Sequence, residues 1–222
     1  MRLDLHNHTL HSPDSRVEPA ALVHRARALG LDGLAITDHN SVAGVRAAIE
    51  EARDLPGLLV IPGIEVSSAE GHVLGFGVSE GIPRDLPARE TVDRIVAAGG
   101  VAVAAHPYRF WSGLGEASTR GANFSAYEAR NARTLRAGNE RADRLAGMQR
   151  VGRTGGSDAH FLHEHGAAFT IVEGGPSSLG DTLQALGAGK TRADGVHRGA
   201  KETVVYVTKA VSEWIARGMR RI

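Results

Sequence analysis

Apolar runs along this chain end repeatedly on a histidine or an acid. Leu3 and Leu5 lead to His6 and His8, and GLAIT (33–37) leads to Asp38 and His39. LLVIPGI (58–64) leads to Glu65, VAVAA (101–105) to His106, and TGGS (154–157) to Asp158. Short apolar runs bounded by glycine and proline read as buried strands. The pattern predicts strands over 2–5, 33–37, 73–78, 101–105, 154–157 and 169–172. A strand with a bend at Pro62-Gly63, or a strand pair, is predicted over 58–66. Between these runs the apolar period lengthens to that of a helix. Helices are predicted over 18–29, from a Ser41 cap to about Asp54, and over 90–98, 140–149 and 179–186. Pro19 near the start and Gly30 after the end punctuate the first helix, and Gly187 closes the last. Residues 202–219 read as strand-like and then helical.

Strand and helix signals alternate, which implies an α/β fold with a largely parallel sheet. About seven strands, each followed by helical material, predict a closed barrel in one domain spanning 1–222. In such barrels functional groups sit at the C-terminal ends of the strands, and here the polar residues fall at that end each time. The Gly- and Ser-rich stretch 111–123 is predicted to be a mobile loop over the site.

Composition narrows the chemistry. The 222 residues are 42% hydrophobic, and 26 basic against 25 acidic residues leave a formal charge of +1. That balance does not call for nucleic acid or a membrane surface. Cysteine is absent, so disulfides and thiolate metal sites are excluded and any metal must be held by nitrogen and oxygen. The N-terminus has no basic segment followed by an apolar one, and no apolar run is long enough to span a bilayer. A soluble, cytoplasmic protein is expected.

Six histidines (His6, His8, His39, His72, His106, His160) and three acids (Asp14, Glu65, Asp158) are the candidate metal ligands. So many charged groups in one buried volume are costly unless cations hold them. His6 and His8 are two apart, so on a strand both face one way. Asp158 and His160 repeat that spacing. Glu65 can bridge two cations, which a neutral imidazole cannot. Asp14 lies in a Ser-Pro-Asp-Ser turn and is also an ordinary turn former.

These strings together resemble the PHP family, named for polymerase and histidinol phosphatase. HNH at 6–8, TDH at 37–39, GIE at 63–65, HVLG at 72–75, AHP at 105–107 and GSDAH at 156–160 carry the likeness, which runs from Leu3 to about Thr191. The resemblance implies a distorted (β/α)7, TIM-like barrel and phosphoester hydrolysis at two or three divalent transition-metal ions (zinc, manganese or iron). It implies one metal on His6, His8, Glu65 and Asp158, a second on Glu65, His72 and His106, and a third on Asp14, His39 and His160. The His8-to-Asp14 spacing is one residue longer than in some relatives. A water bridging two such cations becomes the nucleophile, with Glu65 and Asp158 central to the chemistry.

Arg109, just after AHP, is the expected phosphate clamp, because guanidinium meets phosphate oxygens in a fork. Asn40 and Asn131 are expected at the substrate mouth. Asp38 is read as an orienting carboxylate or a turn residue. His11, His24, His163, His165 and His197 are read as ordinary surface or loop histidines, and Lys209, Arg217, Arg220 and Arg221 as a solvated helix face. The expected substrate is a small phosphomonoester or nucleotide. The alternatives are an exonuclease-like phosphodiesterase on short oligonucleotides, with Tyr108, Phe110 and Trp111 as the base-stacking cluster, and a metal-binding module without turnover.

Overall fold

The computed structural model describes residues 1–176 and 178–199, with Val211, Ile215 and Gly218. Along the chain run β1 (Arg2–Asp4), α1 (Pro19–Ala28), β2 (Gly33–Ile36), α2 (Ala43–Ala52), β3 (Leu59–Ser67) and β4 (His72–Phe76). Then follow α3 (Ala88–Ala97), β5 (Val101–Ala104), α4 (Gly115–Gly121), β6 (Ala126–Asn131), α5 (Arg136–Gln149) and β7 (Gly152–Gly156). After a 3-10 turn at Leu162–Glu164 come β8 (Ala168–Val172), α6 (Leu179–Gly187) and β9 (Thr191–Gly195).

Strand alternation divides the apolar residues between two layers. On β2, Leu34 and Ile36 pack with Leu22, Val23 and Ala26 of α1 and Val45 and Ala48 of α2. Ala35, between them, joins an inner cluster with Leu3, Leu5, Ile61, Leu74, Phe76 and Val103. That inner face leads directly to the candidate ligands. Glu65 follows Ile61 on alternate positions of β3, and His72 precedes Leu74 on β4.

The strands form one sheet in the order β7-β6-β5-β4-β3-β2-β1-β8-β9. It curls into a nearly closed barrel. The seam forms where the tip of β1 meets the chain after β7. Asn7 bridges Ala159, Asp158 N–H donates to His6 O at 2.7 Å, and His8 N–H donates to Ala159 O at 3.0 Å. The Thr170 hydroxyl adds two bonds to Gly155, accepting from its N–H and donating to its carbonyl.

The strand–helix alternation expected throughout is broken in two places. The connection 68–71 between β3 and β4 is too short for a crossover helix. β4 therefore runs antiparallel to both β3 and β5. β8 also lies antiparallel to β1. Strands β6 and β9 were not predicted, because both carry charged residues in place of an apolar run. Pro62 is tolerated within β3 because the strand changes partners there, pairing with β2 up to Pro62 and with β4 from Gly63. The predicted mobile loop over 111–123 is largely the helix α4, and α5 begins four residues before its predicted start. The N-cap of α2 is Val42. Ser41 precedes it and accepts the Ala43 N–H at 3.2 Å. Apart from Val211, Ile215 and Gly218, the predictions over 202–219, with Lys209, Arg217, Arg220 and Arg221, lie outside the described residues.

Candidate metal centre

The nine ligand candidates meet at the C-terminal mouth of the barrel, and Glu65 is the hub. Its Oε1 lies 2.8 Å from His72 Nδ1 and 3.0 Å from His106 Nε2. Its Oε2 lies 3.2 Å from each of His6 Nε2, His8 Nε2 and His39 Nδ1. Asp158 Oδ1 is 3.4 Å from His8 Nε2 and 3.9 Å from His6 Nε2. Asp14 Oδ2 is 2.7 Å from His160 Nε2 and 3.5 Å from His39 Nε2.

The backbone aims these groups. A parallel bridge aligns His39 with Glu65. His106 (φ 26°) and Asp158 (φ 54°) both take left-handed backbone conformations at strand ends. Such strain in non-glycine residues is characteristic of functional sites. Gly156 leaves room at the centre, because a Cβ there would collide with His6 and crowd Glu128 Oε1.

Behind the ligands lies a set of orienting partners that sequence reasoning missed. Glu128, fully buried on β6, accepts from the His6 ring at Nδ1 (3.0 Å) and from the His106 backbone N–H (2.8 Å). Ser12 Oγ lies 3.0 Å from His8 Nδ1 and accepts the His39 N–H at 2.8 Å. These contacts turn the Nε2 atoms of His6 and His8 toward the centre, as carboxylate–histidine pairs do behind metals. Alternation on β6 was the available signal for Glu128, which follows inward Ala126 while Tyr127 packs outward. Asp38 orients no ligand ring. It binds Thr9 through the backbone N–H at 2.6 Å and the hydroxyl at 2.7 Å. His165 corrects the surface expectation: it is buried, 3.1 Å from Asp4 and 2.5 Å from Asn7. His24 is exposed and pairs with Glu51.

The expected substrate residues are all engaged within the protein. Arg109 contacts Asp158 Oδ2 and donates to Asn131 Oδ1 at 2.6 Å. Asn131 is buried and donates to Asp158 Oδ2 at 3.1 Å and to Glu128 Oε2 at 3.0 Å. Asn40 spends both amide atoms on Ser67.

Electrostatics divide the site. Burial works against ionised carboxylates, but the charges of His6, His39 and His72 hold Glu65 well below the usual range. Burial opposes ionisation of Asp158 too, and Arg109 and His6 outweigh it. Burial would push His8 down, but nearby Asp158 and Glu65 lift it to about 9. Burial, then Arg109, presses His106 down to about 3, and burial, His8 and Arg133 press His160 down to about 4.

Buried His6 Nε2, His8 Nε2 and His39 Nδ1 have no hydrogen-bond partner among the described residues, although all three crowd one carboxylate oxygen. Shared cations resolve such an arrangement, and four overlapping groups have ligand atoms close enough to hold one. They are His8–Asp14–His39–His160, His6–His8–Asp158, His6–His106–Glu128 and His39–Glu65–His72. The nitrogen and oxygen donors fit divalent transition metals.

The PHP domain matches residues 4–163, and a PHP-associated segment matches 136–191. The chain belongs to the PHP domain family. Among its relatives, an uncharacterised protein of Methanocaldococcus jannaschii is 36% identical over 118 residues, covering 49% of this chain and 68% of that protein. The 5'-3' exoribonuclease Rnm of Salmonella typhimurium is 34% identical over 158 residues, covering 57% of this chain and 54% of its own length. This PHP domain therefore spans about half of that enzyme. A two-domain Bacteroides vulgatus protein containing a predicted PHP-like metal-dependent phosphoesterase shares the fold, with TM-score 0.70 and 21% identity. The match covers 92% of this chain and 68% of that one. At 21% identity that likeness shows the barrel fold of this PHP domain.

Proposed function

We propose that this PHP domain hydrolyses phosphoesters of small phosphorylated molecules, nucleotides among them, at two or three divalent ions of zinc, manganese or iron. The observation that carries this is Glu65, whose two oxygens each face a different set of imidazoles. His6, His8, Glu65 and Asp158 would hold one ion, Glu65, His72 and His106 a second, and Asp14, His39 and His160 a third. When bound, the ions acidify water and draw charge from the phosphoryl oxygens. The protein's own groups do the rest. Glu128 and Ser12 fix the His6 and His8 rings, and the burial of the ligands keeps bulk water from screening them. Arg109, beside Asp158, presents its guanidinium to a phosphoryl oxygen, and Asn131 holds both groups in place. A single catalytic domain over 1–222 in a cytoplasmic setting completes the proposal. Among the described residues no helix is long and apolar enough to cross a membrane.

A second reading, an exonuclease-like phosphodiesterase on short oligonucleotides, is supported by Phe110 and Trp111. They follow Arg109, are 85% and 63% exposed, and meet edge to face at 4.8 Å. Exposed rings beside a phosphoester site suit base stacking. Release of phosphate from nucleotides and sugar phosphates, with manganese, zinc or iron added, tests the first reading. Turnover of oligonucleotides alone moves the assignment to the second. Metal-loaded protein inactive on every phosphoester sinks both.

A further inference from the structure

We propose that a cavity flanking the metal centre is a second phosphate-binding site, built on Arg130, Arg136 and Arg198. The cavity measures about 590 Å³ and lies where the end of β6, the start of α5 and the chain after β9 converge. The turn 131–135 is its partition from the ligands. On that turn Asn131 bonds Asp158 and Arg133 contacts His160. Arg198 is fastened to the same turn, its N–H donating to Thr134 O at 3.1 Å.

Three features make this a built site. Arg130 is anchored against His197, and its Nε is buried without a hydrogen-bond partner among the described residues. Arg136 is the first residue of α5, so the positive end of a 14-residue helix adds to the guanidinium charges. Glu140 is the one carboxylate among the described lining residues, and it meets Arg136 only at 3.9 Å. The local field agrees, since burial, then Arg130 and Arg136, hold the His197 imidazole below its usual value. Guanidiniums gathered around a cavity of this size suit a phosphate dianion and part of its ester group. The ligand is either a further phosphate group of the substrate or free inorganic phosphate. The first source rests on the phosphoester reading above; the site itself does not.

The test is calorimetric titration of metal-loaded protein with inorganic phosphate, in wild type, Arg109→Ala and the double variant Arg136→Ala/Arg198→Ala. Arg136 is largely exposed, so Arg136→Glu serves as a second variant that keeps the fold. The expected result is phosphate binding that survives Arg109→Ala and weakens about tenfold or more in the double variant. An unchanged isotherm in the double variant and in Arg136→Glu overturns the proposal. Turnover separates the two sources. A higher KM in the double variant for a nucleoside bisphosphate, but not for a monophosphate, assigns the site to the substrate. Equal KM values with phosphate binding lost assign it to free phosphate. Phosphate binding at the arginines without turnover of any ester removes the phosphoester reading and leaves this site standing.

Discussion

At the scale of single residues, the proposed site separates groups that would hold cations from groups that orient them. Asp158 belongs to the first kind under the proposed assignment. Asparagine accepts its left-handed backbone, so Asp158→Asn is expected to fold normally yet lose at least ~100-fold in metal-dependent turnover. Thermal melting and phosphate release check the two halves, and full turnover would unseat the assignment. Glu128 belongs to the second kind. Glu128→Gln keeps the size of the side chain but removes the charge behind His6. Metal affinity is expected to fall about 10–100-fold, read by competition with a chromophoric chelator. Unchanged affinity would make Glu128 a packing residue.

At the scale of elements, strands β1 to β7 carry the site's polar side chains at or near their ends, β4 at its start, and local pattern revealed most of them. Glu65 was visible because a long apolar run ends on it. Glu128 was hidden because β6 reads AYEARN, with charge where a buried strand usually shows an apolar residue. His165 was hidden for another reason. Asn7, which it touches, lies 158 residues away, and no local period records that pairing. The β3–β4 hairpin was obscured because an antiparallel strand inside a mostly parallel barrel carries the same apolar pattern as its neighbours. On β7, Gly156 is where the backbone must stay bare. Gly156→Ala is expected to cost about 1–3 kcal/mol through overpacking and to lower metal content with it. Denaturant unfolding and elemental analysis measure both. A stable variant with full metal content would show that the centre gives way more easily than its geometry implies.

At the scale of the whole molecule, cation binding and folding stability are one equilibrium. Without cations, two strongly ionised carboxylates and raised imidazoles must balance one another in a buried volume. Ions that bind only the folded chain stabilise it by about 4 kcal/mol at a thousandfold excess over Kd. Chelation is therefore expected to lower the melting temperature, and reloading to restore it while releasing protons from the imidazoles. Calorimetry in buffers of different ionisation enthalpy counts those protons; a melting temperature indifferent to chelation would contradict the linkage. The seam at which β1 meets the segment after β7 carries this further. Its two sides are about 150 residues apart, and both bear proposed ligands. Glu65 is made early, but a ribosome must pass residue 158 before the histidines at positions 6 and 8 can meet their second acid, Asp158. Until then the proposed set of His6, His8, Glu65 and Asp158 lacks one of its acids, and the proposed set of Asp14, His39 and His160 lacks a histidine, so the centre is completed only after the first 160 residues are made.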